Sequence, residues 1–346
     1  MKIRDREIGS NQPPYIIAEL SANHLGDFDR AMKILEVSAE AGADAVKLQT
    51  YTADTITIDH DGPGFTIEGG LWDGRNLYEL YQEAYTPWEW HEPLMARGRE
   101  LGVDVFSSPF DPTAVDFLDA LDVPAIKIAS FECVDLPLIR YAAKTNRPLI
   151  MSTGMATLGE IDAAVNAARD SGSGGVVLLH CISGYPTPAA DSNLRTIPHM
   201  ATAFDCAVGL SDHTMGTAVS VAAIAMGACV IEKHVTLARA DGGPDGAFSL
   251  EPDELKRLVE DTRTAWEALG TVGYSLKGSE SGNATMRRSL YAVVDIAAGE
   301  RLTAENCRSI RPGHGLPAKE LPSVLGMRAR TDLAKGTPIA WSLLEE

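Results

Sequence analysis

The sequence has few cysteines and no apolar segment long enough to cross a membrane. Its five cysteines are scattered over 346 residues, and none are spaced as a Cys-x-x-Cys pair. This excludes a disulfide framework and a cysteine-based zinc site, and it predicts a protein of the reducing cytoplasm. The longest apolar stretch, residues 218–231, is interrupted by Ser220 and Gly227 and is too short for a transmembrane helix.

Basic residues are also scarce. The chain carries 30 Lys and Arg against 48 Asp and Glu, a formal charge of −18. Such a protein repels nucleic acids and anionic membrane surfaces, so neither is an expected partner. If its substrate is an anion, the few cations must be concentrated at one place.

What the sequence does contain is an alternation of short apolar runs with amphipathic helical patterns. Continuous apolar runs, each followed by a helical pattern, are typical of buried parallel strands with helical crossovers. We therefore predict an α/β fold, a (β/α)₈ TIM barrel. A doubly wound open sheet is the alternative, although no glycine-rich fingerprint follows the first strand. The predicted strands are residues 15–20, 45–50, 104–108, 125–130, 148–153, 175–181, 207–213 and 229–235.

The remainder of the chain is less regular. Residues 51–86 are polar and rich in glycine, which predicts a functional loop. We predict a barrel over residues 1–274, a linker over 275–285 and a small β-rich domain over 286–346. Two similar segments, Asp295–Gly299 and Asp332–Gly336, indicate an internal repeat with pseudo-two-fold symmetry in that domain.

Catalytic residues of a barrel lie at the carboxyl ends of its strands. Here nearly every predicted strand ends in polar or charged residues, which predicts a polar pocket where they converge, although any single serine could equally meet solvent or cap a helix. The residues at these ends are Glu19, Asn23, His24, Lys47, Gln49, Ser107, Ser108, Lys127, Ser130, Glu132, Ser152, Thr153, His180, Ser183, Tyr185, Ser211, Asp212, His213, Glu232, Lys233 and His234.

Two of these lysines, Lys47 and Lys127, are flanked by apolar residues within their strands. A buried ammonium is costly unless an anion meets it, so the pair predicts a phosphate or carboxylate site. The alternative is a Schiff-base lysine of an aldolase, whose pKa burial would lower.

His213 and His234 follow neighbouring strands, 21 residues apart. Their imidazoles could therefore converge on one ion, and two imidazoles with oxygen ligands suit a divalent transition metal. The carboxylate-bearing loop at residues 241–246 and the segment Trp72–Arg75 could close over a ligand, or be ordinary packed turns.

In order along the chain, these motifs resemble the sialic acid (nonulosonic acid) synthase family over nearly the whole length. The motifs are Ala-Glu19-Leu-Ser-Ala-Asn-His, Val-Lys47-Leu-Gln-Thr, Lys127-Ile-Ala-Ser-Phe-Glu, Gly-Leu-Ser-Asp-His213 and Glu-Lys-His234. The tail resembles the family's antifreeze-like SAF domain. The segments Gln49-Thr-Tyr-Thr and Gly70-Leu-Trp-Asp-Gly-Arg are most similar to members that condense phosphoenolpyruvate with 2,4-diacetamido-2,4,6-trideoxy-L-altrose, giving pseudaminic acid and phosphate.

The resemblance implies a role for each candidate residue. Glu19 is the implied acid or base, and His213 and His234 bind a catalytic divalent ion, Mn²⁺ with Co²⁺ or Mg²⁺ as alternatives. A domain-swapped homodimer is implied, in which Arg311 enters the partner's site. The residues implied for phosphoenolpyruvate are Lys47, Ser108, Lys127, Ser130, Ser152, Ser183 and Ser211, and those for the sugar are Gln49, Glu132, Tyr185, Asp245 and Arg311.

Three functions remain to be distinguished. The first is the condensing synthase, acting on this sugar or on the precursor of N-acetylneuraminate or legionaminate. The second is a Schiff-base aldolase, and the third a non-enzymatic sugar-binding protein.

Overall fold

Eight parallel strands close into a barrel in the computed structural model, which describes all residues, 1–346. Each barrel strand pairs with the next along the chain, and the last pairs with the first. The predicted TIM barrel is confirmed, and the open sheet is excluded. The strands of the first unit, Met1–Gly270, are β1 (Lys2–Ile3) and β2 (Arg6–Glu7), which form a hairpin, and the barrel strands β3 (Tyr15–Glu19), β4 (Ala45–Thr50), β5 (Asp104–Pro109), β6 (Ile126–Ile128), β7 (Leu149–Ser152), β8 (Val176–Cys181), β9 (Ala207–Ser211) and β10 (Val230–His234).

Helices follow the barrel strands where the apolar spacing changes to 3–4 residues. Their starts carry local signals: the Asp27 carboxylate accepts a hydrogen bond from the backbone N–H of Arg30, and Thr157 forms a capping box with Glu160. The helices are α1 (Phe28–Glu40), α2 (Ala53–Ile56), α3 (Leu77–Ala84), α4 (His91–Leu101), α5 (Pro112–Ala120), α6 (Leu136–Ala143), α7 (Leu158–Asp170), α8 (Thr196–Phe204), α9 (Ala218–Ala225) and α10 (Pro252–Leu269).

The segment predicted as a loop, residues 51–86, contains two of these helices, α2 and α3. Asn76 begins α3 because its side chain accepts hydrogen bonds from the backbone N–H groups of Tyr78 and Glu79. The glycine-rich composition of this segment predicts a loop, but the segment also contains an eight-residue amphipathic helix.

The register of the strands places charged side chains at one level of the barrel. Glu19 of β3 lies opposite His234 of β10 on one side and Lys47 of β4 on the other. Gln49 lies opposite Ser108 of β5. Groups far apart in sequence therefore meet at the carboxyl end of the barrel, above an apolar interior that includes Ile17 and Phe106.

The second unit, Thr271–Glu346, is small and rich in β-structure, as predicted. Its elements are β11 (Ser289–Ala292), β12 (Cys307–Ile310), α11 (Leu321–Val324), β13 (Arg328–Ala329) and β14 (Leu344–Glu345). The two repeated segments bond to each other symmetrically. Ile296 and Leu333 exchange backbone hydrogen bonds of 2.8 Å. Asp332 accepts from the N–H of Ala298, and Asp295 accepts from that of Lys335.

No helix in the structure is both long and apolar enough to span a bilayer. All five cysteines are free thiols.

Candidate active site

The side chains at the strand ends divide into two sets, because successive residues of a strand point to opposite faces. One set points into the barrel, and the other points outward beneath the helices. The inward set comprises Glu19, Lys47, Gln49, Ser108, Lys127, Ser152, Cys181, Ser211, Glu232 and His234, which contact one another or line one cavity.

The prediction that all strand ends converge is wrong for the outward set. The hydroxyl groups of Ser107 and Thr50 lie 2.6 Å apart. Lys233 forms an ion pair of 3.0 Å with Asp212. His180 Nε2 lies 2.6 Å from the backbone oxygen of Ser192. These groups are buried but mutually bonded, so they stabilise the fold and do not face a ligand.

Lys47 and Glu19 form the first inward pair. The Nζ of Lys47 lies 2.5 Å from Glu19 Oε2 and 3.3 Å from the Ser108 hydroxyl. The amide of Gln49 donates to Glu19 Oε1 at 3.0 Å and to the Ser21 hydroxyl at 2.9 Å. Glu19 is therefore fixed by its neighbours, and both partners of the ion pair are buried.

Lys127 and Glu232 form the second inward pair. Lys127 Nζ donates to the Ser152 hydroxyl at 2.6 Å and lies 3.8 Å from Glu232 Oε1. Glu232 also lies 4.0 Å from Lys47 and accepts a hydrogen bond from Ser211 at 3.0 Å. The cations required for an anion are indeed gathered here, but each has a carboxylate neighbour.

Burial and these contacts change the acid–base properties of the four groups. Burial raises the pKa of Glu19 to about 7, against the opposing effect of Lys47. Burial likewise lowers the pKa of Lys127. The pKa of Glu232 is held below its usual range, because Lys127 and Lys47 together outweigh its burial. Of the two carboxyls in these pairs, Glu19 is therefore the one that can exchange a proton near neutral pH.

A second group of predicted residues forms a cradle of hydroxyls. The backbone N–H of Gly154 donates to Ser130 Oγ at 3.2 Å, and a Cβ at Gly154 would overlap the hydroxyls of Ser130 and Ser183. The Ser183 Oγ is buried without a hydrogen-bond partner. Unpartnered buried hydroxyls of this kind are suited to the oxygens of a bound anion.

His213 and His234 come together as predicted, with ring centroids 5.4 Å apart. His213 Nδ1 lies 2.9 Å from the carbonyl oxygen of Ile182, which leaves its Nε2 free to bind a ligand. His234 Nδ1 is buried without a hydrogen-bond partner and lies 3.8 Å from the Asp245 carboxylate. Burial lowers the pKa of His234 well below its usual value, so this imidazole is neutral.

Two imidazole nitrogens with a carboxylate nearby fit a divalent ion that keeps open positions. No three His, Cys, Asp or Glu side chains lie close enough to hold an ion by themselves. Water or substrate would therefore have to complete the coordination.

Beside the histidines is a cavity of about 390 Å³. It is lined on one side by Gln49, Tyr185 and Asp245, three of the residues predicted for the sugar. The Trp72 indole N–H donates to the carbonyl oxygen of Pro244 at 2.9 Å, so the segment 72–75 and the loop 241–246 meet over this cavity.

The other two predicted sugar residues lie elsewhere. Glu132 is absent from the cavity lining, although its neighbour Phe131 is present. Its Oε2 is buried without a partner, and burial raises its pKa to about 7. Arg311 is an exposed residue of the second unit, where it lines a surface pocket with Arg287 and Arg288.

The sequence places Glu232 among the strand-end residues and Trp72 in a segment that could close over a ligand, but it indicates no individual role for either residue. The signal for Glu232 was present, because it stands two residues before His234 in one strand and must share its face. Trp72 stood in the segment predicted to close over a ligand, but its contact with Pro244 spans 172 residues and no local pattern reveals it.

Comparison with known proteins covers both units. Residues 34–274 match the NeuB family, and residues 287–345 match the SAF domain. Lys47, Lys127 and both histidines fall within the first range, and Arg311 within the second.

Similar proteins align over nearly the full chain. A pseudaminic acid synthase of Campylobacter jejuni is 44% identical over 322 residues, 93% of this chain and 94% of that protein. A pseudaminic acid synthase of Helicobacter pylori is 42% identical over 95% of this chain and 97% of its own length. Among solved structures, the N-acetylneuraminic acid synthetase of Leptospira borgpetersenii in complex with citrate is 31% identical, with a TM-score of 0.73 over 82% of this chain and 94% of that one.

Proposed function

The chain belongs to the NeuB family, and from this premise we propose that it is a pseudaminic acid synthase. It condenses phosphoenolpyruvate with 2,4-diacetamido-2,4,6-trideoxy-L-altrose and releases phosphate. The observation that carries the proposal is the meeting of two buried lysines, a hydroxyl cradle and a histidine pair at the mouth of one barrel. The two pseudaminic acid synthases described above support the choice of sugar.

Phosphoenolpyruvate fits the anion-binding half of the site. Lys127 with Ser152, and Gly154 with Ser130 and Ser183, offer an ammonium, hydroxyls and a cradle for the phosphate. Lys47, Ser108 and Ser211 complete this half. Because these donors are already in place, they can stabilise the charge on phosphate as it departs.

The sugar fits the cavity beside the histidines. Gln49, Tyr185 and Asp245 face it with an amide, a phenol and a carboxylate. His213 and His234 are the residues that would hold a divalent ion, Mn²⁺ in our proposal. When bound, such an ion supplies Lewis-acid polarisation of the sugar's aldehyde oxygen.

In the proposed reaction the methylene carbon of phosphoenolpyruvate bonds to the aldehyde carbon, and positive charge develops on the enol carbon. Glu19, ionised and held by Lys47 and Gln49, stabilises this charge or orients the water that adds there. One proton of that water ends on the new sugar hydroxyl. The other leaves with phosphate as the carbon–oxygen bond breaks and the keto group forms.

We also propose a domain-swapped homodimer, in which the partner subunit's Arg311 binds an acylamino group of the sugar. Exposure of Arg311 on the second unit supports this role. The test is a hybrid of Lys127→Met and Arg311→Ala subunits, each inactive alone. Swapping predicts that the co-expressed pair regains activity at one of two sites, because an intact barrel then receives an intact Arg311. An inactive hybrid contradicts the swap.

The function is tested by phosphate release from phosphoenolpyruvate with a panel of sugars: the diacetamido-altrose, the legionaminic acid precursor and N-acetylmannosamine. We expect the highest kcat/KM with the altrose derivative. A higher value with another sugar would replace the substrate but keep the chemistry, and no release with any sugar would overturn the synthase.

A Schiff-base aldolase is the second candidate, which the lowered pKa of Lys127 favours. It predicts that borohydride traps a sugar or keto acid on this lysine. The synthase predicts no trapping, together with loss of activity in chelator.

A further inference from the structure

Helix α3 is amphipathic, but its apolar face does not pack on the barrel core. Leu77, Leu80, Tyr81 and Ala84 stand at helical positions i, i+3, i+4 and i+7, so they share one face. All four line the cavity beside His234. Leu80 is only 6% exposed, yet it is not a member of the barrel's hydrophobic core. The helix therefore buries its apolar face against the space where a ligand would lie.

The cavity is consequently two-sided. Gln49, Asp245 and His234 form its polar wall, at the barrel mouth. The α3 wall is largely aliphatic, and the hydrogen-bonding groups of its backbone are used within the helix. Trp72, whose indole N–H donates to the carbonyl oxygen of Pro244, also lines the cavity.

A hydroxyl placed against Leu77, Leu80 and Ala84 would lose water and find no donor or acceptor among those three side chains. A methyl group there loses nothing and buries apolar area. The three aliphatic side chains of this wall would therefore favour a deoxy carbon over a hydroxymethyl group at the same position of a sugar, whereas Tyr81 brings the wall's one side-chain hydroxyl.

We propose that the α3 face, through Leu77, Leu80 and Ala84, is the specificity-determining surface that receives the carbon-6 methyl of the sugar. This inference rests on the proposed function, and it assigns to α3 the choice between 6-deoxy and 6-hydroxy substrates.

The experiment compares kcat/KM for phosphate release with two sugars, the 2,4,6-trideoxy substrate and 2,4-diacetamido-2,4-dideoxy-L-altrose, which has a hydroxyl on carbon 6. The native protein is expected to prefer the deoxy sugar by about 100-fold, the order by which such pockets discriminate. Leu80→Asn should reduce that ratio at least about tenfold, mainly by loss of kcat/KM for the deoxy sugar. Leu77→Asn, at a half-buried position, is the second variant in case Leu80→Asn folds poorly.

Two controls separate specificity from damage. Leu80→Met conserves size and apolarity and should keep the native ratio. Leu71→Asn changes an exposed leucine on the preceding loop, outside the cavity lining, and should change nothing. Equal losses with both sugars, or an unchanged ratio in both asparagine variants, would overturn the inference while leaving the synthase intact. Failure of the native protein to release phosphate with any sugar would overturn the proposed function, and this inference with it.

Discussion

The inward and outward sets of side chains at the strand ends use the same residue types in opposite ways. Lys233 on the outer face is paired with Asp212 at 3.0 Å, and it also donates to the carbonyl oxygen of Thr214. Lys127 on the inner face has a serine at 2.6 Å but its nearest carboxylate at 3.8 Å. Both lysines are almost completely buried, so burial alone does not distinguish them.

The difference lies in what remains unpartnered. In the inward set, Glu232 Oε2 and His234 Nδ1 have no hydrogen-bond partner. Ser107, Asp212 and Lys233 of the outward set have no buried side-chain atom in that condition. Because buried polar atoms are rarely left unbonded, these two atoms at the barrel mouth are suited to contact with a bound ligand.

The largest expected effect is the contrast between Lys127→Met and Lys233→Met. Removing Lys127 deletes an ammonium proposed to bind phosphate, so we expect kcat/KM for phosphate release to fall by about 10²–10³-fold. Removing Lys233 leaves the buried Asp212 unpaired, which should cost about 3–5 kcal/mol of unfolding free energy. Thermal unfolding and phosphate release, measured on both variants, check the contrast.

Lys233→Met is the matched control for Lys127→Met. Lys233→Met, assayed below its unfolding temperature, should keep kcat/KM within a few-fold of the native value. If the two variants lose activity equally, the division into inward and outward sets carries no functional meaning.

The histidines give the next contrast, between His234→Ala on the inner face and His180→Ala on the outer face. His234→Ala removes a proposed ligand and should lower kcat/KM by about 10²-fold or more and weaken Mn²⁺ binding measured by calorimetry. His180→Ala removes a contact with the backbone oxygen of Ser192 and should affect stability alone. Native Mn²⁺ affinity in His234→Ala would contradict the assignment of this residue to the metal.

Much of the fold could be predicted from the sequence, because buried parallel strands leave a strong local pattern. Strand β4 occupies the predicted range 45–50. The division of the strand ends was less visible. A shift of one residue exchanges the two faces of a strand, and the ends of irregular runs such as 207–213 do not fix that alternation.

Many side chains at the barrel mouth could be predicted from the strand ends, but their charge balance could not. The predicted lysines, serines and histidines do meet, since register brings strand ends together. The place of Glu232 between two lysines depends on three strands at once. Likewise, the glycine-rich composition of residues 51–86 obscured α3, whose apolar face becomes meaningful only with the cavity beside it.

A smaller effect is expected from Glu19, whose pKa is raised to about 7 chiefly by burial. If its ionised form supports the reaction, kcat/KM should fall below pH 7, because kcat/KM follows the protonation of the free protein. Glu19→Gln should lower kcat/KM and abolish its fall below pH 7. Ser107→Ala, on the outer face, should keep that fall. If Glu19→Gln keeps the native pH profile, the fall in kcat/KM below pH 7 belongs to another group.

The smallest contrast concerns stability and compares the half-buried Glu132 with Glu160 on the surface of α7. Burial raises the pKa of Glu132 to about 7, so the folded protein favours the protonated form of this carboxyl. The stabilisation that this group contributes is present below the pKa that it has in the unfolded chain, and it is lost as the pH rises toward 7. Hydrogen bonds from Thr157 instead lower the pKa of Glu160, so its contribution is present at neutral pH and is lost in acid.

Replacement of each carboxyl by its amide should therefore change thermal stability in opposite directions. Glu132→Gln should raise the unfolding temperature by a few degrees at pH 8 and by less at pH 5, because the native carboxylate is costly only when ionised. Glu160→Gln should lower the unfolding temperature slightly at pH 8 and have no effect once the carboxyl is protonated near pH 3, provided the protein remains folded. Equal effects of Glu132→Gln at pH 5 and pH 8 would mean that Glu132 is already paired in solution. It would then no longer count as a buried carboxyl without a partner.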